Sequence, residues 1–590
     1  MEEQRFSAPH GAQWLGYQRT RFSLWAPNAN RVEVVIDGQP HLLQAQPEGW
    51  HSAEVSARPG SRYRFRIDGE REVPDPASRA QAGDVHDESV VVDPEAYAWR
   101  QTQWRGRPWH ECVLYEVHVG LLGGFRGVEA HLPALADLGV TAIELMPLND
   151  FPGERNWGYD GVLPFAPDTA YGTPEELKHL VDRAHELGLM VFVDVVYNHF
   201  GPDGNYLGQY AKSFFRHDIQ TPWGDAIDFR QRPVRDFFLQ NALMWLRDYR
   251  VDGLRFDAVH AISEKDFLVE LATAARQAVG PDRHVHLVLE NEHNDADLLE
   301  SGFDAQWNDD GHNVLHTLLT GEREAYYADF FEDRTAKLAR CLGEGFIYQG
   351  QTTRRGETRG QPSGHLSPLS FVLFLQNHDQ TGNRAFGERL IELADPEALR
   401  AATTLLLLSP MIPLLFMGEE WGSRQPFLFF TDHHDELADA VREGRRNEFA
   451  DFASFADEAT RARIPDPNAL STFETSRPAF ADYAKDPGHE SWNAFYRQLL
   501  ALRHARLVPG LPGSQALGAE VLGDGAVSAR WRLGSGQVLR IDLNLSADEC
   551  PVKAPTDAPL FISRNEALID YRQGRLAARL AVVSLENHDA

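Results

Sequence analysis

Four short segments, far apart in the chain, each set an acid or a histidine just beyond an apolar run. They are Val191-Phe-Val-Asp-Val-Val-Tyr-Asn-His199, Gly253-Leu-Arg-Phe-Asp-Ala-Val-His260, His286-Leu-Val-Leu-Glu290 and Phe371-Val-Leu-Phe-Leu-Gln-Asn-His-Asp379. Asp257 follows Arg255 by two residues, so in a strand both side chains point to the same side, and a neighbouring guanidinium keeps a carboxylate ionised. Glu290 comes after three apolar residues, a setting that raises a carboxyl pKa and keeps the proton on. One ionised and one protonated carboxyl make a nucleophile and a proton donor, the pair that cleaves a glycosidic bond. Asp379 adds a third acid that could hold sugar hydroxyls and distort the ring.

Taken one at a time, these residues have plain readings. A strand-end Asp is usually a cap or a loop hydrogen-bonder, His199 or His378 alone is usually structural, and Asp194 inside its strand serves to anchor Arg255 by a salt bridge. Four such strand ends converging on one rim are much harder to explain structurally.

The apolar runs are rich in Val, Leu and Phe and read as strands buried on both faces, as in a parallel sheet. Eight are expected: Val113–His118, Ala142–Leu145, Met190–Val196, Gly253–Phe256, His286–Leu289, Ala305–Asn308, Phe371–Leu375 and Leu414–Met417. Amphipathic stretches such as Thr173–Leu187, Pro233–Asp248 and His489–Arg506 separate or follow them. The pattern predicts an α/β chain whose core is a (β/α)8 TIM barrel over residues 105–507, with chemistry at the C-terminal rim.

Ahead of it, residues 1–95 alternate with period two (Arg21–Trp25, Arg31–Ile36, Ser61–Ile67), which predicts an N-terminal β-sandwich. There Trp14, Trp25 and Trp50 belong to the core, and Val73 to Pro94 reads as a proline-punctuated linker. Val527–Leu533, Gln537–Leu545 and Ala578–Leu585 predict a C-terminal β-sandwich over residues 514–590.

The 57 basic and 87 acidic residues give a formal charge of −30, which excludes a nucleic-acid or anionic-membrane partner but not a neutral glucan. Cys112, Cys341 and Cys550 lack disulfide or zinc spacing. Asp203-Gly204-Asn205 lacks the rest of a calcium loop, so neither metal nor cofactor is expected. Met1-Glu-Glu-Gln-Arg-Phe6 has no secretory pattern and no run is long enough to span a membrane, so the expected setting is cytoplasmic.

On those four segments the chain resembles the α-amylase superfamily of glycoside hydrolases. The resemblance implies that Asp257 is the nucleophile, Glu290 the acid/base and Asp379 the transition-state stabiliser, acting by double displacement. It also implies that Arg255 orients Asp257, that His199 and His378 bind the sugar, and that Asp194, Phe256, Ala258, Val259 and His260 lie in the same substrate-binding segments. Tyr159, in Asn156-Trp-Gly-Tyr-Asp160, is a candidate sugar-stacking platform.

Within the superfamily the chain is similar to the maltooligosyltrehalose trehalohydrolase family. The motifs that carry this include Phe22-Ser-Leu-Trp-Ala-Pro-Asn28, Tyr115-Glu-Val-His-Val-Gly120, Thr221-Pro-Trp-Gly-Asp225, Asn377-His-Asp-Gln-Thr-Gly-Asn-Arg-Ala-Phe-Gly387 and Arg463-Ile-Pro-Asp-Pro467. By that analogy Trp307 to His312, including Asp309, Asp310 and His312, and Gln380, Thr381, Gly382 and Asn383 contact substrate. Gly120 to Gly127 is shorter than the family usually has. The implied substrate is maltooligosyl trehalose or a related α-glucan, and the implied functional partner is the synthase that makes it. A branching or debranching enzyme, or a non-catalytic glucan-binding barrel, are the alternatives.

Overall fold

Eight parallel strands close into a barrel in chain order: Leu114–Val117, Ala142–Leu145, Met190–Val195, Gly253–Phe256, His286–Leu289, Ala305–Trp307, Phe371–Phe374 and Ile412–Phe416. The computed structural model describes residues 9–450, 452, 455, 457–479, 486–553 and 558–586, so Met1–Phe6 falls outside them. Every residue of these eight strands is buried, as a sheet covered by helices on one face and plugged on the other requires.

The alternation divides each strand between two cores. Leu114, Phe192, Val288, Trp307, Phe374 and Leu414 fill the barrel interior, while Leu254, Phe256, Leu287 and Leu289 face the surrounding helices. Helix Pro174–Glu186 begins with the capping box that Thr173 and Glu176 announce, each satisfying an otherwise orphan backbone donor. The helix expected over His489–Arg506 runs from Pro487 to Leu502 and then relaxes into one wider turn, Arg503–Leu507.

Two sheets precede the barrel. Gly11–Trp14, Arg19–Trp25, Trp50–Ser56 and Gln44–Ala45 form one; the other is built on Val32–Ile36 and Arg62–Ile67. Trp25 and Trp50 are buried and Trp14 is half-buried. The proline-rich stretch after them is not wholly irregular, because Ser89–Val90 pairs with Arg62 and Tyr63. The C-terminal sheet contains the expected strands as Ala526–Arg532, Val538–Asn544 and Leu580–Glu586. It also has an edge strand, Gln515–Gly523, whose glycines and broken alternation concealed it in the sequence. No helix among the described residues is long and apolar enough to cross a membrane.

Gly253 opens the strand that carries Arg255, and it lies opposite Phe192 in register. A β-carbon there would sit 1.7 Å from two carbons of the Phe192 ring, so the interior plug closes only around a glycine. Gly253→Ala should lower stability by about 1–3 kcal/mol, the usual cost of overpacking a core. A urea midpoint equal to that of the wild type would show that the ring has room to move.

Candidate active site

At the C-terminal rim the interior changes from apolar to ionic. Arg255, 1% exposed, donates through Nη1 to Asp194 Oδ2 at 2.6 Å and to Asp257 Oδ1 at 2.9 Å. Its Nη2 pairs with Glu290 Oε2 at 2.9 Å. The guanidinium carbon lies 4.1 Å from the ring centroid of Trp307, which gives the cation a π floor. Asp257 also accepts from Asn198 Nδ2 at 2.8 Å, and Glu290 Oε2 accepts from the Ala258 N–H at 2.8 Å. Ala258 reaches that position with φ at +40°, a left-handed conformation that a non-glycine residue holds only when its surroundings demand it. Across the rim Asp379 accepts from Asn383 Nδ2 at 2.7 Å.

The three acids differ in access. Side-chain exposure is 11% for Asp257, 18% for Glu290 and 42% for Asp379, so the deepest acid is the one most tightly bonded. Burial opposes the Asp257 charge. The Arg255 cation, His199 and hydrogen bonds with Asn198 and Glu290 outweigh it and hold the carboxyl below the usual carboxylate range. For Glu290 burial dominates, and the charges of Asp257, Asp379 and Asp309 add to it, so its pKa stands well above the usual value despite Arg255. One site thus favours the charge on one carboxyl and the proton on the other.

His378 is placed by a residue far away in sequence. Glu116, on the first barrel strand, accepts from the His378 N–H at 2.9 Å and bonds its Nδ1 at 2.5 Å. Burial alone would lower the His378 pKa; the Glu116 carboxylate overrides it and raises it. The ring stacks on Tyr159 with centroids 5.0 Å apart, and its Nε2 lies 4.0 Å from Asp379 Oδ1.

A family model described as "Alpha amylase, catalytic domain" matches residues 98–242. "Carbohydrate-binding module 48 (Isoamylase N-terminal domain)" matches 9–96, and a domain of unknown function, DUF3459, matches 514–582. A malto-oligosyltrehalose trehalohydrolase of Deinococcus radiodurans is 43% identical over 540 residues, covering 87% of this chain and 88% of that one. The protein of the same name from Saccharolobus solfataricus is 38% identical, covering 82% and 84%. The chain belongs to the malto-oligosyltrehalose trehalohydrolase family. A solved structure described as a putative alpha amylase from Salmonella typhimurium superposes with a TM-score of 0.92 at 43% identity, over 99% of this chain and all of that one.

Within this family frame, not every residue of the matching segments reaches the groove. Phe256 packs into the outer core because alternation sends it to the side of the strand opposite Arg255, and Val259, in the short turn Val259–Ala261 beyond the strand, packs into the same core. Ala258 contributes its N–H to Glu290 rather than a surface to substrate. Asp194 and Arg255 are each 1% exposed; they hold one another, and Arg255 holds Asp257. Asp310 is fully buried; it accepts from the Ile347 and Tyr348 N–H groups and pairs with Arg359 at 2.8 Å, so it fixes a loop beneath the rim. His312 lies under the same wall, stacked on Phe374, and Trp307 is the floor under Arg255.

Thr381 is buried, and a β-carbon at Gly382 would strike the Trp157 ring at 2.1 Å. His199 spends Nδ1 on Asn198 and donates from Nε2 to the Tyr159 carbonyl at 2.9 Å. Its ring lies 4.4 Å from that of Trp223, parallel to within 9°. The aromatic surface presented there is therefore Trp223, 46% exposed, from the Thr221–Asp225 motif. Tyr159 gives one face to His378 and its hydroxyl to Asp194 Oδ2 at 2.6 Å. Asp309, His260, Gln380 and Asn383 retain access to solvent. Glu116, Asn198 and Trp223 had no role in the sequence reading, although each sits inside or beside a segment it singled out.

Asp309 generates a test. Burial, with Asp379 and Asp310 adding and Arg359 opposing, raises its pKa to about 7, so it is neutral where Asp257 titrates, and once ionised its charge adds to those that raise the Glu290 pKa. On the roles that the resemblance implies, the ascending limb of kcat/KM follows deprotonation of Asp257 and the descending limb follows loss of the Glu290 proton. Removing a negative charge near Glu290 lowers the Glu290 pKa. Asp309→Asn should therefore move the descending limb to lower pH and leave the ascending limb in place. A pH profile in which both limbs shift together, or neither does, would rule out that coupling.

Proposed function

We propose that this protein is a retaining glycoside hydrolase that cleaves the α-1,4-glucosidic bond next to the terminal trehalose unit of maltooligosyl trehalose and releases trehalose. The observation that carries the mechanism is the pairing of Asp257 and Glu290 on one guanidinium, each 2.9 Å from Arg255. An inverting glycosidase needs a gap of about 6.5–9.5 Å between its carboxyl groups to seat a water, whereas a retaining one needs about 5–5.5 Å. Two carboxyls clamped on the two terminal nitrogens of one guanidinium lie close together, which favours the retaining route. What supports the choice of substrate is the shared name of the relatives and the identity over most of the chain.

Glu290 gives its proton to the glycosidic oxygen as the bond to the anomeric carbon breaks. Asp257 attacks that carbon and forms a covalent glycosyl ester, while the sugar chain beyond the leaving oxygen departs as free trehalose. Glu290, now a carboxylate, takes a proton from the incoming water, which attacks the same carbon and expels Asp257. Two inversions restore the α configuration. Asp379 holds ring hydroxyls and steadies the oxocarbenium-like passage in both steps, and His378, held by Glu116, sits beside it. Trp223 offers a face for stacking. The reading includes a cytoplasmic setting and a maltooligosyl trehalose synthase as functional partner, since the substrate must be supplied by an enzyme that builds a trehalose end onto a glucan.

The test is product analysis after incubation with maltopentaosyl trehalose and, separately, with maltohexaose. Fast release of trehalose from the first and little cleavage of the second is the expected result. Equal cleavage of both, or the appearance of α-1,6 branches, moves the protein to a neighbouring activity of the superfamily; a branching enzyme of Bordetella pertussis is 36% identical over 289 residues. Glu290→Gln should abolish release while binding of the intact substrate persists, because shape is kept and only the proton donor is lost. Wild-type turnover in that variant would remove Glu290 from its role.

A further inference from the structure

Beyond the eighth strand the chain forms a helix, Asp435–Glu448, whose one buried residue is an arginine, Arg445. A helix that only covered the barrel would bury an apolar stripe. Arg445 is 6% exposed. Its Nη2 donates to the carbonyl of Gly382 at 2.8 Å and to that of Arg384 at 2.9 Å, and its Nη1 pairs with Glu448 at 2.8 Å. The guanidinium also lies 4.9 Å from the Phe449 ring centroid and 5.5 Å from that of Phe429.

Gly382 ends the short helix His378–Gly382 that carries Asp379. Asn383, which lies between the two carbonyls that Arg445 holds, is the residue that donates to Asp379 Oδ1. The cation therefore meets the unpaired carbonyls and the negative end of the helix that presents the third acid. The same loop is held on its other flank by Arg384, which forks onto Glu322 at 2.8 and 2.9 Å. Glu322 in turn bonds His316 at 2.8 Å. A cavity of about 670 Å³ lies between these flanks, lined by Tyr326, Asn383, Arg384, Phe449 and Phe452 among others.

We propose that Arg445 is a positioning residue for Asp379: by gripping the Gly382 and Arg384 carbonyls it sets Asn383, and through it the Asp379 carboxylate, and it joins the wall formed by Phe449 and Phe452 to the catalytic loop. Desolvating a guanidinium is costly, and this one is compensated by backbone acceptors of the acid's own loop rather than by a partner in the hydrophobic core. The inference rests on the reading of Asp379 as the stabiliser.

The experiment is a double-mutant cycle between Arg445 and Asp379 in the full chain, with maltopentaosyl trehalose as substrate and thermal unfolding measured in parallel. Arg445→Met keeps the aliphatic stem and removes the donors. It should lower kcat by about ten- to a hundredfold, as small misplacements of a catalytic group do, with KM changed by less than about threefold. Arg445→Lys should recover part of the loss. In an Asp379→Asn background, Arg445→Met should cost less than about a further threefold, because the group it positions is already gone. Wild-type kcat in a folded Arg445→Met protein, or the full loss persisting in the Asp379→Asn background, overturns the proposal. If the Met variant does not fold, the same cycle with Arg445→Lys decides it by the same criterion. An active Asp379→Asn protein would overturn the reading of Asp379 and this inference with it. An inactive one beside a normal Arg445 variant overturns this inference alone.

Discussion

One buried guanidinium organises the rim. Arg255 contacts Asp194, Asp257 and Glu290 and rests on Trp307. Three carboxylates around one cation would leave the buried group with two uncompensated negative charges, a cost that low dielectric makes prohibitive. The cheapest relief is to leave a proton on one acid. Glu290 keeps it, since the charges of Asp257, Asp379 and Asp309 add to its burial. Asp257 loses it, since Arg255 and two hydrogen bonds favour its ionised form. The division into one carboxyl that favours its charge and one that favours its proton is thus an electrostatic consequence of placing three acids on one arginine, and it is present before any substrate arrives.

The fold supplies that placement through two periodicities. Period two within a strand puts Arg255 and Asp257 on the interior side and Phe256 on the helix side. The parallel register then brings Asp194 beside Arg255 from the neighbouring strand. The apolar plug beneath is equally specific: Phe192 fills the space that Gly253 leaves open, which fixes how closely the two strands that carry Asp194 and Arg255 approach.

The barrel, its strand order and the three acids were legible because they depend on local pattern: apolar runs, strand ends and the spacing of Arg255 to Asp257. The residues that escaped notice depend on closure. Glu116 meets His378 from 262 positions away, and Arg445 meets Gly382 from 63. Neither pairing leaves a periodic trace in the chain. The opposite error had the same origin. A resemblance is carried by whole segments, so it extends to Val259, Asp310 and His312 along with their neighbours, although a strand or helix turns only part of any segment to the groove. The Asp309–Asp310 pair shows this most plainly. The charge of the first acts on Glu290 and is acted on by that of Asp379, while the second is fully buried and holds the backbone of Ile347 and Tyr348.

The acidity of the chain bears on how a substrate is recognised. A formal charge of −30 gives no long-range attraction to a neutral glucan, and the ionic groups at the rim are already committed to one another. Discrimination must therefore come from contacts of short range: aromatic faces such as Trp223 and Tyr326, and hydrogen bonds from polar groups held in place by others. Contacts of that kind are worth little unless they are fixed beforehand, because the cost of ordering them is charged against binding. The pairs Glu116–His378, Asp194–Tyr159 and Arg445–Gly382 do that fixing, each holding a residue or loop that lines the groove through a partner that does not. The selectivity of such a site resides as much in these buried holding residues as in the groups that touch sugar.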